Sequence, residues 1–453
     1  MTERLLVIGG DAAGMSAASQ ARRRRPADDL EIVVLERSGW ISFSACGEPF
    51  FIAGEVTDLQ QLLARRPEQF EADGIEVRMH TEATAIDPDR RVVEALGPTG
   101  PASFEYDQLV YATGAAPIIP DIRDADADGV FTLRTLDDAA AIRAATGHIT
   151  RAVVVGGGYI GIEVAEALLR RGVRTTIVTS GDTVMNRALD EDMGHLATDA
   201  IRSQGVEVHP GIRVRCLVDG GGAVIGVEAD EDVLPADLVV IGVGAAPEVA
   251  LAERAGVTIG PTGAIAVDDR QRTSVDGIWA AGDCAEARHV VSGLPVNTQL
   301  GTVANKQGRV AGINLGGGDA TFPGVLGTAI TRFAKTEISR TGLSERQATE
   351  AGIAHSVGTV ESSTIAGYMT DTAPMMIKAL CEQGTGRLLG AQIVGGPGAG
   401  KRIDTFAAAI WGGLGGHDLA MADLSYAPPF SGVWDPVMIA ARRAADRALG
   451  IST

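Results

Sequence analysis

The chain has 453 residues, too many for one ordinary core, so two to four domains are predicted, each large enough to bury its own apolar surface. A net charge of −19 and a pI near 4.8 exclude nucleic acid and anionic membrane as main partners, because binding either polyanion requires a basic surface. The four cysteines are too irregularly spaced for a disulfide framework or a zinc site, the seven histidines contain no HExxH, and no apolar run reaches the roughly 18 residues of a membrane span.

These counts predict no metal site and a soluble protein of the reducing cytoplasm. Thr2-Glu3-Arg4 runs directly into strand-like Leu5-Leu6-Val7-Ile8, without the charged-then-apolar stretch of a signal peptide. Gly9-Gly10-Asp11-Ala12-Ala13-Gly14 follows, then a small-residue helix and a strand from Glu31 to Glu36. Gly9 and Gly14 permit a tight turn and close helix packing, so a pyrophosphate can sit on backbone amides at the helix N-terminus, with Gly10 and Ala13 as contacts. Glu36, with Arg37 beside it, is expected to accept ribose hydroxyls. The middle glycine of the GxGxxG pattern is Asp11 here, so this turn taken alone also fits a plain strand-to-helix connection. Arg22 to Arg25, and later Arg65-Arg66, read first as a basic helix face and second as a place for a polyanionic substrate such as a coenzyme A nucleotide.

Next comes Ser42-Phe43-Ser44-Ala45-Cys46-Gly47-Glu48-Pro49-Phe50. A two-cysteine reductase would place its second sulfur five positions away, but Phe51 and Ile41 stand there, so an internal disulfide in this segment is excluded. A flavin enzyme whose substrate brings the second sulfur fits that absence, with Ser42 and Ser44 flanking the thiol.

Tyr111-Ala112-Thr113-Gly114-Ala115-Ala116-Pro117 leads to a second strand–turn–helix unit: Ala152 to Val155, Gly156-Gly157-Gly158-Tyr159-Ile160-Gly161, a helix through Leu169 and a strand from Thr175 to Val178. It keeps all three glycines, Gly156, Gly158 and Gly161, and is assigned to the nicotinamide dinucleotide, with Tyr159 and Ile160 at the turn. Glu163 is read equally as a neighbour of the nicotinamide and as part of a solvated helix face. Thr179 replaces the acidic residue that would bind an adenosine 2′-hydroxyl, and Arg187 or Arg174 could balance a 2′-phosphate, so NADPH is favoured over NADH. Gly244 follows in Gly242-Val243-Gly244-Ala245-Ala246-Pro247, and Gly282 and Asp283 close Gly277-Ile278-Trp279-Ala280-Ala281-Gly282-Asp283. The stretches from Tyr111 and from Gly277 match flavoprotein reductase motifs and, with the first turn, point to FAD. Ala112, Thr113 and Gly114 are contacts in the first of them. Asp283 is expected to hydrogen-bond the ribityl or ribose side of the flavin, and Cys284 reads as a packed small residue. A helix from near Thr302, with Ala304 in its first turn, would aim its positive end at the flavin pyrimidine. Gly316-Gly317-Gly318 reads as a linker into a separate α+β domain, and Gly395 to Lys401 as a surface turn, since Arg402 stands where a phosphate loop needs Ser or Thr.

Nearly the whole chain resembles the pyridine nucleotide-disulfide oxidoreductases, in the branch of coenzyme A-disulfide reductases and NADH oxidases or peroxidases. The resemblance is carried by Ser42 to Gly54, Gly156 to Gly161, Gly242 to Pro247, Ala280 to Cys284, Ala304 to Arg309, Tyr426-Ala427-Pro428-Pro429-Phe430 and Trp434-Asp435-Pro436. It implies an α/β fold with two Rossmann-like dinucleotide-binding domains: a discontinuous FAD domain over 1–118 and 247–320 and an NAD(P) domain over 119–246, followed by an α+β dimerisation domain over 321–453. It also implies a homodimer that reduces a small-molecule disulfide or persulfide through one redox cysteine, Cys46, and a mixed disulfide. Ser42 matches a serine that such enzymes use beside the cysteine, while Tyr368 and Tyr426 match tyrosines that protonate or orient the sulfur from the partner subunit. Oxidases and peroxidases of the branch carry a histidine in the first Gly-rich loop, where Asp11-Ala12-Ala13 stands here, and two-cysteine reductases carry a C-terminal His-Glu pair that Tyr426 to Pro436 lacks. What remains looks most like coenzyme A-disulfide reductase, although Ala45 replaces the asparagine often found before the cysteine. The alternatives are an NAD(P)H oxidase or peroxidase cycling Cys46 through a sulfenic acid, and a flavin-bound interaction or sensor protein. In the implied mechanism Cys46 works as a thiolate whose pKa is lowered by charge transfer to the flavin.

Overall fold

The computed structural model of the chain describes residues 2–218, 221–229 and 232–452. Among these, a first body is built on a five-stranded parallel sheet in the order Ile278–Ala280, Gln108–Tyr111, Glu3–Ile8, Leu30–Leu35, Glu76–Arg78. Leu5, Leu6, Val7 and Ile8 of its central strand are all buried, as an apolar run must be in a parallel sheet covered on both faces. The helices Ala12–Arg22 and Gly301–Leu315 cover one face, and the antiparallel strands Glu82–Asp87, Val92–Gly97 and Gly100–Glu105 cover the other through Val93 and Ala95. The two helices meet backbone to backbone. A Cβ on Gly308 would lie 2.1 Å from the Ala13 carbonyl oxygen and one on Gly312 2.2 Å from that of Ala17, so this approach requires glycine.

The second body repeats the plan, with parallel strands Glu207–His209, Arg174–Val178, Arg151–Val155, Leu238–Ile241 and Val130–Thr132 in that order. Helices Leu136–Ala145, Tyr159–Arg170 and Glu191–Arg202 pack on one face, and the strands Val214–Val218 and Val224–Ala229 on the other. Phe51 and Ile52, from the short helix that follows Cys46, insert into this second core, so the cysteine segment is anchored in both bodies. The chain passes between the bodies on an antiparallel pair, Ala115–Pro117 with Ala245–Pro247.

Gly316 to Gly318 end the helix Gly301–Leu315, after which a third body forms an antiparallel sheet in the order Ala329–Phe333, Thr336–Gly342, Leu388–Gly395, Pro374–Glu382, His355–Ser363. The helices Ile403–Trp411 and Pro436–Ala448 pack on it through Phe406, Ile410, Val437, Ala440 and Ala444, giving the α+β layer expected. The turn after Gly395 is already filled by a carboxylate of the neighbouring strand Thr336–Gly342: Glu337 accepts from the Gly398 N–H at 3.0 Å and the Gly400 N–H at 2.7 Å. Buried Lys378 joins the third body to the second, meeting Asp190 at 3.3 Å, Asp192 at 2.8 Å and Glu345. Asp190 also exchanges hydrogen bonds with Gln392. Among the described residues, no helix is long and apolar enough to cross a membrane.

Candidate cofactor and redox site

The first strand delivers Gly9 with φ 105°, where a Cβ would lie 2.1 Å from the Ala112 carbonyl oxygen, and a Cβ on Gly14 would lie 2.0 Å from the Gly9 carbonyl oxygen. Packing of strand, turn and helix therefore demands both glycines, and leaves Gly10, Asp11, Ala12 and Ala13 facing a cavity. Glu36 accepts from the Gly10 N–H at 2.8 Å and the Ser38 N–H at 2.7 Å, and it lines the same cavity with lone pairs to spare. Next to it, Arg37 pairs bidentately with Glu248 at 3.0 Å, and the Glu248 carbonyl accepts from Thr113 Oγ1 at 2.7 Å. Ala112, Thr113 and Gly114 continue that wall.

Two bonds staple the cysteine segment to this turn. The Ser42 N–H donates to the Gly10 carbonyl at 2.9 Å, and Asp11 Oδ1 accepts from the Phe43 N–H at 3.1 Å. Ser42 itself sits in the left-handed region at φ 49° and is not among the cavity residues, so its part here is played by the backbone. The 3-10 turn Ala45–Gly47 and the helix Glu48–Ala53 then present Ser44, Cys46 and Glu48 to the cavity. Cys46 is exposed while Cys216, Cys284 and Cys381 are buried, and Cys284 Sγ donates to the Ala281 carbonyl at 3.3 Å, as a packed small residue can.

In the second turn Gly156 has φ 119° with its Cβ position 2.3 Å from the Gly242 carbonyl oxygen, and a Cβ on Gly161 would lie 1.9 Å from the Gly156 carbonyl oxygen. Gly158 differs, since a Cβ there would meet nothing within 4 Å and would project into open space. Gly158, Tyr159, Ile160, Glu163, Thr179, Arg187 and Gly244 all line the cavity. Glu163 accepts from Thr331 Oγ1 at 2.7 Å and lies within electrostatic reach of Cys46, so its helix face turns to the cavity rather than to bulk solvent. Arg174 does not reach the site. It begins the strand Arg174–Val178, and at about 3.3 Å per residue lies some four residues from the end where Thr179 stands.

The cavity runs continuously from Glu36 past Cys46 to Thr179 with a volume of about 2760 Å³, well above the ~300–1,000 Å³ of an ordinary small-molecule pocket. Gly282, Asp283, Thr302 and Ala304 also line it, with the helix Gly301–Leu315 presenting its N-terminal turn to the cavity as expected. Buried Gln307 orients that wall by accepting from the Gly282 N–H at 2.9 Å and donating to the Glu286 carbonyl at 2.9 Å. The cavity is acidic around the thiol. Cys46 is open to the cavity but crowded by protein on its sides, and that partial desolvation first, then Glu163 and Glu48, push its thiol above the ordinary value, while burial likewise raises Asp283. Tyr368 and Tyr426 lie beside each other in the third body, 75% and 48% exposed, and neither lines the cavity, so a single chain does not bring them to Cys46. The arginines of the two basic stretches are partly committed: Arg25 pairs with Glu3 and Asp29, Arg22 donates to the Gly74 carbonyl, and Arg65 pairs with Asp73.

A family model described as pyridine nucleotide-disulphide oxidoreductase matches residues 3–308, and that family's dimerisation domain matches residues 328–437. The chain belongs to the pyridine nucleotide-disulphide oxidoreductase family. It is 38% identical over 448 residues to the NAD(P)H coenzyme A polysulfide/persulfide reductase of Pyrococcus horikoshii, covering 98% of each chain. An NADH oxidase of Methanocaldococcus jannaschii is 34% identical over 447 residues, covering 97% of this chain and 98% of that one. Among solved structures, a NAD-dependent persulfide reductase from A. fulgidus superposes with a TM-score of 0.93 at 38% identity, covering 98% of this chain and 83% of that one.

As a member of this family the chain is an oxidoreductase for which FAD and NAD(P)H are expected. The first turn fits that requirement, since small Gly10, Ala12 and Ala13 and the acceptor Glu36 face a cavity large enough for a dinucleotide. Arg134 and Glu48 are among the lining residues that the sequence motifs do not mark. Arg134 donates from Nε to the Ala115 carbonyl at 2.7 Å and stands 2.7 Å from the Cβ position of Gly114, while Glu48 sits buried next to the cysteine turn. The carboxylate in the otherwise small and apolar stretch after Cys46 was the available signal for Glu48. Arg134 lies far from every Gly-rich motif and offered none.

Proposed function

We propose that the protein is an FAD-dependent NAD(P)H oxidoreductase that reduces a small-molecule disulfide or persulfide through Cys46. The observation that carries this reading is one exposed thiol, without a second sulfur nearby, in a cavity shared by two dinucleotide-type turns. The names of the Pyrococcus horikoshii relative and the A. fulgidus structure support the substrate class. FAD would be held by Gly9, Gly10, Ala13, Gly14, Glu36, Arg37, Ser44, Ala112, Thr113, Gly114, Gly282, Asp283, Thr302 and Ala304. Bound there, it supplies a two-electron relay between nicotinamide and sulfur. The nicotinamide dinucleotide would lie along Gly156, Gly158, Tyr159, Ile160, Gly161, Glu163, Thr179, Arg187 and Gly244. NADPH is preferred because Thr179 brings no carboxylate and Arg187 lies on the same wall. Domain boundaries are taken as 1–118 with 247–320, 119–246, and 321–453, and the enzyme as a cytoplasmic homodimer.

The Cys46 thiolate attacks one sulfur of the substrate, forming a mixed disulfide and expelling the other half as a thiolate. Two electrons then cleave that disulfide, returning Cys46 to a thiolate and releasing the second thiol. Over the cycle one NAD(P)H and one proton convert a disulfide to two thiols. The acidic neighbours of Cys46 oppose its ionisation, so the lowering expected from charge transfer has to come from the bound flavin. Ser42 orients the cysteine segment, and the exposed Tyr368 and Tyr426, delivered by a partner subunit, protonate or orient the leaving sulfur.

Anaerobic NADPH and NADH oxidation against a panel of disulfides and persulfides, with released thiol counted, tests this reading. Acceptor-dependent oxidation with a higher kcat/KM for NADPH is expected. Oxidation that proceeds only with oxygen or peroxide would establish the sulfenic acid cycle instead, and none with any acceptor would leave a flavin-bound sensor.

A further inference from the structure

Glu48 stands two residues after Cys46 and opens the helix Glu48–Ala53. It is 3% exposed, lines the same cavity as Cys46, and among the described residues its Oε1 has no hydrogen-bond partner. Leaving an ionised carboxylate buried and unpaired is strongly disfavoured, whereas the neutral acid avoids that cost.

The charged groups around the pair make the same demand. Asp11 faces Glu48 from the first Gly-rich turn, Arg134 from just before the helix Leu136–Ala145, and Asp138 from its first turn. Cys46 is faced by Glu163 from the helix Tyr159–Arg170, by Glu48 itself, and by Asp283. Arg134 is the cation acting on Asp11, Glu48 and Asp283 together, one positive charge for three carboxylates. Full ionisation of these carboxylates is therefore disfavoured. Asp11 has a backbone N–H to accept from and Asp283 is only half-buried, which leaves Glu48, buried with an unpartnered oxygen, as the acid with least support for its charge. Burial raises Glu48 to about 8, against about 6 for Asp11.

We propose that Glu48 is a proton-holding, positioning residue for Cys46: its neutral form lets the sulfur carry negative charge, and its ionisation opposes the thiolate, so the two titrate as a coupled pair. The inference rests on Cys46 being the redox sulfur. It adds a control on thiolate formation supplied by the same subunit, distinct from any tyrosine across a dimer.

The test is anaerobic alkylation of Cys46 in the FAD-loaded dithiol-reduced enzyme, mapped to the Cys46 peptide by mass spectrometry from about pH 5 to about pH 10. The wild type should show a broad, two-step rise in rate. Glu48→Gln should show a single step at lower pH, with alkylation roughly tenfold faster than wild type near pH 8.5, the effect of about one pKa unit. Superimposable profiles would overturn the proposal. Should Glu48→Gln fail to fold or to hold flavin, the wild-type curve decides alone, because a simple one-step rise there also overturns it. Retained disulfide turnover in Cys46→Ser would instead defeat the functional reading, and the alkylation comparison would still judge Glu48 by itself.

Discussion

The two Gly-rich turns share their outer glycines and differ at the middle one. Gly9 and Gly156, and Gly14 and Gly161, meet equivalent backbone oxygens at the same kind of distance, so a Cβ at any of the four would collide. At the middle position both turns have extended backbone, φ −106° at Asp11 and −80° at Gly158, which any residue can adopt. The outer glycines are thus a demand of the fold, and the middle one is a matter of what the cavity must hold. In the second unit the space stays open for a ligand. In the first it is filled by a carboxylate that grips the Phe43 N–H and ties the turn to the cysteine segment.

If the first unit carries the chemistry and the second only binds, the largest effect belongs to Cys46→Ser. Disulfide-dependent turnover should drop by orders of magnitude while the yellow flavin absorbance and NAD(P)H binding persist, since neither turn uses the sulfur. Loss of flavin from that variant would show that the two functions are not separable. Next in size, Tyr426→Phe should lower kcat about 10²-fold and leave a yellow dimer, judged by steady-state kinetics and gel filtration. An unchanged kcat would pass the proton to Tyr368 or water.

Gly158→Asp makes the second turn imitate the first. The packing tolerates the side chain, so folding and flavin content should hold, but a carboxylate placed where a pyrophosphate sits should raise the KM for NAD(P)H about tenfold, the equivalent of roughly 1.4 kcal/mol. Titration of both cofactors distinguishes this from general damage, because a parallel loss of FAD would refute the division of labour.

The smallest effect concerns stability. Burial holds Asp11 at about 6, above the ordinary 3.8, so the folded chain binds this proton more tightly than the unfolded one. Its contribution is greatest below the ordinary carboxylate range, declines as pH rises toward 6 and is flat above. Asp11→Asn keeps an acceptor for the Phe43 N–H while removing the titration, and should flatten about 1–2 kcal/mol of that pH dependence in denaturant melts. A wild type whose stability does not fall over this interval would contradict it.

What could be read from the sequence was local. The strand–turn–helix units, the helix opening at Gly301 and the lone Cys46 all follow from short-range spacing, and packed Cys284 from its neighbours. What escaped depends on distance in the chain or on direction. Arg134 and the Arg37–Glu248 pair come from segments far apart, and no spacing rule joins them. Arg174 was tied to Thr179 by nearness in sequence, but a strand separates them and only its C-terminal end meets the cavity. Glu48 was visible as a letter, yet its meaning lies in being buried without a partner, which a sequence cannot express.

The joint around Lys378 makes the second body something other than a portable cassette. Its Asp190 and Asp192 answer an ammonium rooted in the terminal sheet and only 3% exposed, and Asp190 also answers Gln392 from a neighbouring strand. A graft that moved this body into another scaffold, or replaced it with a foreign one, would take two of the three carboxylates from Lys378, leaving Glu345 as its partner, and would cut the Asp190–Gln392 hydrogen bonds. A body contiguous in sequence is thus fitted to a distant stretch of the same chain, the strands that carry Lys378 and Gln392.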